Sequence, residues 1–181
     1  MKIKQLDEIL ANKIAAGEVI ERPANVVKEL VENSIDASSS KIDIIIEEGG
    51  MNLIEIVDDG LGMDQEDAKL CFSRHATSKI TNDQDLFCIQ TLGFRGEAIP
   101  SIASISHFEL KTSDGQSGST VVYEFGKFIE QKQSDLKRGT KITVTKLFQN
   151  VPARLKYVKS VNAEFAHIQN YVERLSLSHP D

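Results

Sequence analysis

The 181-residue chain sets 21 Lys and Arg against 27 Asp and Glu, a formal charge of −6, with 40% apolar and 27% charged residues. That balance suits a single globular domain with a real core and excludes collagen-like and disordered classes. The longest apolar run, Leu86-Phe87-Cys88-Ile89, is far short of the roughly 20 residues of a spanning helix. The first residues form no signal-peptide stretch, and two cysteines make neither a disulfide framework nor a four-ligand zinc site. A cytoplasmic domain without membrane contact is expected, and with a negative whole-chain field any DNA contact must come from a local patch.

In chain order, the pattern predicts a helix over about 7–16, with Asp7 as N-cap and Gly17 as stop. A second helix over about 23–37 opens on Pro23. It should turn Val26, Val27, Leu30, Val31, Ser34 and Ile35 to the core and Lys28 and Glu32 to solvent. Ile42, Ile44 and Ile46, then Gly49-Gly50, then Leu53 to Val57 read as a β-hairpin. From Asp58 to about Pro100 the periodicity fades, with at most three short helices, and a segment of that length inside a compact domain is usually functional. Strand patterns return at 107–112, 120–125, 127–131 and 140–147. A last helix over about 160–177 carries Val161, Phe165, Ile168, Val172 and Leu175 as its apolar stripe and ends at His179-Pro180. This order of elements predicts an α+β fold, a two-layer α/β sandwich with a mixed, mostly antiparallel sheet and helices on one face.

Four features carry chemistry. On the 23–37 helix, Glu29, Asn33 and Asp36 fall within about 60° of one another. A Glu that orients or deprotonates water beside an Asn oxygen that holds a hard cation would suit that stripe; a solvated face with an i, i+4 hydrogen bond suits it equally. Asp58-Asp59-Gly60-Leu61-Gly62-Met63 follows a strand directly, where a carboxylate could accept from an exocyclic amine and glycines could let backbone approach a ligand; a plain Asp-Gly turn is the other reading. Arg74-His75-Ala76-Thr77-Ser78-Lys79 and Gly93-Phe94-Arg95-Gly96-Glu97-Ala98 offer hydroxyls, cations and a helix start for phosphate. No Gly-Lys-Ser/Thr makes a P-loop. Finally, Lys137, Arg138, Lys141, Lys146, Arg154, Lys156 and Lys159 give the segment 137–159 a charge of +7 with no acid, which leaves −13 on the rest. It reads as a solvated face or as a weak, sequence-independent contact to a phosphate backbone.

Together these motifs resemble the MutL family of DNA mismatch repair proteins. Asn12 to Pro23 is similar to its N-terminal signature, Val27 to Ala37 to its first ATP motif, Asp58 to Met63 to the second, and Arg74 to Lys79 with Gly93 to Ala98 to the lid and third motif. Gly139-Thr140 resembles the fourth, and Asn150-Val151-Pro152-Ala153-Arg154 a family-specific stretch. The motifs at 29–36 and 58–62 are shared with gyrase B subunits, Hsp90 and histidine kinases, the GHKL group. The resemblance implies the Bergerat ATPase fold with a lid over about 71–98. It implies Mg²⁺-dependent ATP binding, slow hydrolysis that drives N-terminal closure and dimerisation, and signalling to a MutS-type mismatch-recognition protein and to DNA near the nucleoid. It makes Glu29 the general base and Asn33 the Mg²⁺ ligand. Asp58 reads the adenine amine with Thr140 in support, and Gly60 and Gly62 shape the pocket. Thr77, Ser78, Lys79, Gly93, Phe94, Arg95, Gly96 and Glu97 close over the phosphates. Lys137, Arg138, Arg154, Lys156 and Lys159 are left as DNA contacts.

Two departures from the family pattern bear on geometry. Ser38 stands where the family has Gly, so a left-handed cap there should cost about 1 kcal/mol. Pro100 is tolerated only if its helix starts late enough to place it in the first turn. The family also has a second domain that supplies a lysine to the γ-phosphate, and a C-terminal dimerisation domain, so the chain is expected to be a truncated ATP-binding domain with weak turnover. A module that senses ATP without hydrolysing it is the alternative; Glu29 favours the enzyme. Phosphotransfer of the histidine-kinase type lacks an acceptor helix.

Overall fold

The computed structural model describes residues 13, 14, 16, 17, 19–73, 76 and 96–179. Most of the helix expected over 7–16, and the site residues Thr77, Ser78, Lys79, Gly93, Phe94 and Arg95, lie outside the described residues.

Helix α1 (Pro23–Asp36) starts where the extended Arg22 meets a proline that needs no N–H partner. The Asn25 side chain accepts from the backbone N–H groups of Glu21 and Arg22 at 3.2 and 3.1 Å. The helix ends with Ser38 in the left-handed region at φ 58°, where its N–H donates to the Ile35 carbonyl. This is the cap expected of the position, made by a residue with a Cβ.

Strands β1 (Ile42–Glu47) and β2 (Leu53–Asp58) form the expected hairpin around a 3-10 turn at Glu48–Gly50. Helix α2 (Gln65–Leu70) is capped by Asp64, which accepts from the N–H groups of Glu66 and Asp67. Helix α3 (Ala98–Ser104) follows, then β3 (His107–Ser113), β4 (Gly118–Glu124), β5 (Lys127–Gln133) and β6 (Gly139–Thr145). A short α4 (Pro152–Leu155), absent from the periodicity reading, precedes α5 (Val161–Ser178). Because α3 begins at Ala98, Pro100 sits in its first turn, and the Ser101 N–H to Glu97 carbonyl bond is intact at 3.0 Å.

The six strands make one sheet in the order β1-β2-β6-β3-β4-β5, and every pairing in it is antiparallel. Period-2 alternation sorts its faces. Ile54, Ile56, Phe108, Leu110, Ile142 and Val144 are buried beneath Val26, Val27 and Leu30 of α1, Ile102 of α3 and Ile168 of α5. The opposite face carries ion pairs such as Lys141 to Glu55 at 2.8 Å. This is a two-layer α+β sandwich.

Two expected orientations are corrected. Glu32 does not point to solvent: it is 8% exposed, because α5 packs over that side of α1 and Tyr171 donates to its carboxylate at 2.7 Å. On α5 the expected stripe holds at Ile168, Val172 and Leu175, but in the first turns Glu164 is 1% exposed while Val161 and Phe165 are each 48% exposed. The Glu164 carboxylate accepts from the Lys159 N–H at 3.1 Å in the turn before the helix.

Candidate active site

Residue registry brings the site together. Asp58 closes β2 and pairs with Thr140 on β6, which pairs in turn with Thr112 on β3. Three polar side chains therefore form a row across three neighbouring strands on the helix-covered face, one step beyond the Ile56-Ile142-Leu110 row of the core. All three are buried, at 8%, 8% and 0% exposure.

Their hydrogen bonds set which atoms donate. Ser34, on the buried side of α1, donates to Asp58 Oδ2 at 2.8 Å, and the Gly60 N–H donates to Oδ1 at 3.0 Å. The Thr112 hydroxyl donates to the Gly139 carbonyl at 3.1 Å and accepts from the Met63 N–H at 2.9 Å. With that proton committed, the Thr140 hydroxyl, 3.1 Å away, donates to Thr112 and keeps its own lone pairs. The row thus presents acceptors, a carboxylate and a hydroxyl oxygen, to anything that enters beside it. Burial pushes the Asp58 carboxyl above its ordinary value of 3.8, and the bonds from Ser34, Gly60 and Thr140 pull part of the way back.

The glycines of this corner serve the protein's own backbone. Gly62, at φ 68°, lies so close to the Ser113 carbonyl oxygen that a Cβ would come within 1.8 Å, and Gly139, at φ 99°, would place one 2.1 Å from the Asp58 carbonyl oxygen. The space a Cβ would need is taken by the chain's own backbone. Gly60 sits against the Ala37 carbonyl, to which the Leu61 N–H donates at 2.9 Å, and so ties the end of α1 to the end of β2. Asp59 turns away from the site. Its carboxylate accepts from the Ser40 and Lys41 N–H groups and the Ser40 hydroxyl, and these bonds hold it below the ordinary carboxylate range.

Glu29, Asn33 and Asp36 lie half-buried along one edge of α1, as helix geometry requires. Glu29 is 24% exposed and its Oε1 lies 3.4 Å from Lys28 Nζ. Gly96 and Glu97 stand at the entry to α3, where Gly96, at φ 59°, packs against the Ala76 carbonyl. The two ends of the 77–95 segment therefore meet beside the helix layer. Near the first of them, burial pushes the Cys71 thiol up to about 12, which marks it as a packing residue.

The basic segment divides. Lys137 and Arg138 precede β6, while Lys156 and Lys159 follow it. The strand β6, a turn and α4 lie between the two pairs in the chain. Lys141 and Lys146 pair with Glu55 and Glu124. Arg154 departs from the surface-patch expectation, because its guanidinium donates to the carbonyl oxygens of Gly17 and Ile20 and pins the segment ahead of α1. The sequence reading missed Ser34 and Thr112 as site residues. Helix rotation brings Ser34 to Asp58, and strand registry brings Thr112 to Thr140.

Among the described residues no cluster of three or more His, Cys, Asp or Glu could hold a metal, and no helix is long and apolar enough to cross a membrane.

Comparison with known proteins gives the family. Residues 20–156 match the family model of histidine kinase-, DNA gyrase B- and HSP90-like ATPases. The DNA mismatch repair protein MutL of Bacillus pumilus is 57% identical over 99% of the chain, and that of Listeria monocytogenes serotype 4b is 58% identical over 99%. The chain spans 29% and 30% of those two proteins. Among solved structures, the N-terminal domain of a DNA repair protein superposes with a TM-score of 0.74 at 30% identity, covering 90% of this chain and 47% of that one. The Aquifex aeolicus MutL ATPase domain complexed with ADP gives 0.67 at 29% identity, covering 90% and 57%. The chain belongs to the histidine kinase-, DNA gyrase B- and HSP90-like ATPase family, and within that family it is similar to the MutL mismatch repair proteins.

Proposed function

We propose that the chain binds ATP with Mg²⁺ beside the Asp58 row and hydrolyses it slowly, and that the nucleotide state is passed on by closure of the 71–98 segment and pairing of N-terminal parts in the whole protein. The observation that carries the reading is the buried acceptor row. An adenine exocyclic amine has two N–H donors, and Asp58 with the Thr140 oxygen offers matching acceptors where water is excluded. The ADP complex of the Aquifex relative supports a nucleotide in this fold.

From there the chemistry falls on the half-exposed edge of α1. Glu29 takes a proton from water as the water oxygen bonds to the γ-phosphorus. The bond from that phosphorus to the bridging oxygen breaks, and its electron pair leaves with ADP. Asn33 is one turn along the same edge and would hold Mg²⁺, whose contribution is to neutralise charge on the phosphates. By resemblance, Thr77, Ser78, Lys79 and the 93–97 segment, Gly93, Phe94, Arg95, Gly96 and Glu97, cover the triphosphate. The partners proposed are a second copy of the N-terminal part, a mismatch-recognition protein of the MutS type, and DNA. For DNA the cations Lys137, Arg138, Lys156 and Lys159 are the contacts. Arg154 is left out, because its donors are engaged with the chain's own carbonyls.

The test that separates hydrolysis from mere sensing is Glu29→Ala. Affinity for a non-hydrolysable ATP analogue within about threefold of wild type, with hydrolysis lost, is the expected result. Hydrolysis equal to wild type would leave a nucleotide-sensing module.

A further inference from the structure

Helix α5 touches α1 at a place that bears on Glu29, although no residue of α5 belongs to an ATP motif. The Tyr171 hydroxyl donates to Glu32 Oε1 at 2.7 Å. The same oxygen lies 3.6 Å from Lys28 Nζ, an i, i+4 ion pair, and Lys28 Nζ lies 3.4 Å from Glu29 Oε1. Side-chain exposure is 11% at Glu32 and 24% at Glu29, with 41% at the Lys28 between them. The ammonium is thus an exposed, flexible side chain held between two carboxylates, one of which is itself fixed by a phenol from the neighbouring helix.

Alone, an exposed Lys–Glu contact fixes little, since both side chains lose rotamer freedom for a screened attraction. Sharing changes that. With Glu32 buried and hydrogen-bonded, one end of the ammonium's seat is rigid, so Lys28 need not be ordered anew for each contact. The phenol stays a donor: burial and the carboxylates of Glu32 and Glu29 hold Tyr171 protonated to well above its ordinary range.

We propose that Tyr171 and Glu32 are positioning residues for hydrolysis: through Lys28 they fix Glu29 with Oε1 on the ammonium, so that Oε2 is the oxygen that receives the water's proton. This rests on Glu29 as the base. It makes α5 part of the catalytic apparatus, and with it any partner that shifts α5 relative to α1 gains a handle on turnover without touching nucleotide. Losing the phenol hydroxyl leaves Glu32 one donor short, draws Lys28 onto it and releases Glu29.

The test uses Tyr171→Phe and Glu32→Gln, with Lys28→Met and Lys28→Arg as a rescue pair and Glu29→Ala as the reference. Single-turnover hydrolysis, with the chain in excess over Mg·ATP, is read beside affinity for a non-hydrolysable analogue and beside the side-chain carboxyl carbon resonance of Glu29. Tyr171→Phe and Glu32→Gln should each slow hydrolysis about tenfold, shift that resonance, and leave affinity within about twofold. Lys28→Arg should retain most of the rate that Lys28→Met loses. If the variants keep wild-type rates and an unshifted Glu29 resonance while Glu29→Ala is inactive, the positioning role is overturned and the base stands. Should affinity, melting temperature and rate fall together, the contact is merely structural and the proposal fails. If Glu29→Ala hydrolyses like wild type, the base reading fails, and the positioning role with it.

Discussion

Asp58 serves two opposed demands. It must be buried to offer an unhydrated acceptor, yet burial disfavours its charge and raises its pKa above 3.8. A raised folded value means that the folded chain binds more protons than the unfolded one between the two pKa values. Stability from this group is therefore full below 3.8 and is lost as pH rises through the folded value. At pH 7 Asp58→Asn should melt at or above the wild-type temperature and lose adenine nucleotide binding, with the difference in melting vanishing near pH 4. Binding by the wild type should fall as pH drops through a midpoint above 3.8. Ser34→Ala removes a hydroxyl bond that favours the charged form, so its binding midpoint should move to higher pH still. Ser38 offers a simpler case, since its φ of 58° is the position a glycine occupies at no steric cost. Ser38→Gly is expected to stabilise by about 0.5–1 kcal/mol, roughly 2–4 °C in melting temperature for a domain of this size.

At the level of elements, the strands and the two long helices could be read directly because one face of each is wet and the other dry. Where that fails, the reading fails. Glu32 has the pattern of a solvent position on α1, but a second helix lies over it; nothing local to 23–37 announces a neighbour 139 residues away. Glu164 displaced Phe165 from the buried stripe because a backbone N–H, which hydropathy does not count, binds its carboxylate. Arg154 was grouped with surface cations for its charge, whereas its position, ahead of carbonyls at the end of a preceding segment, decides its role. Arg154→Ala should lower the urea midpoint by about 1–3 kcal/mol of stability, because a charged donor is removed from two carbonyl oxygens. Arg154→Lys should recover little, lacking the planar fork.

For the whole molecule, the −6 overall and +7 locally resolve into a sheet with paired charges on its open face and cations both before and well after β6. Binding to duplex DNA should be weak, since Lys141, Lys146 and Arg154 of the basic segment are already engaged. Reversing Lys137 and Arg138 together should reduce the log–log salt slope by about two, while Arg154→Ala leaves it unchanged. The site could be read in part: Glu29, Asn33 and Asp58 stood out in the sequence as candidates, but Ser34 and Thr112 enter only through strand registry and helix rotation. The central claim is that the buried row centred on Asp58 reads adenine. Titration calorimetry with a non-hydrolysable ATP analogue and Mg²⁺, on the wild type and on Asp58→Ala, tests it most directly. Saturable one-to-one binding by the wild type, weakened by tenfold or more in the variant, is expected from the loss of a charged acceptor. Equal affinity in the two proteins would contradict it.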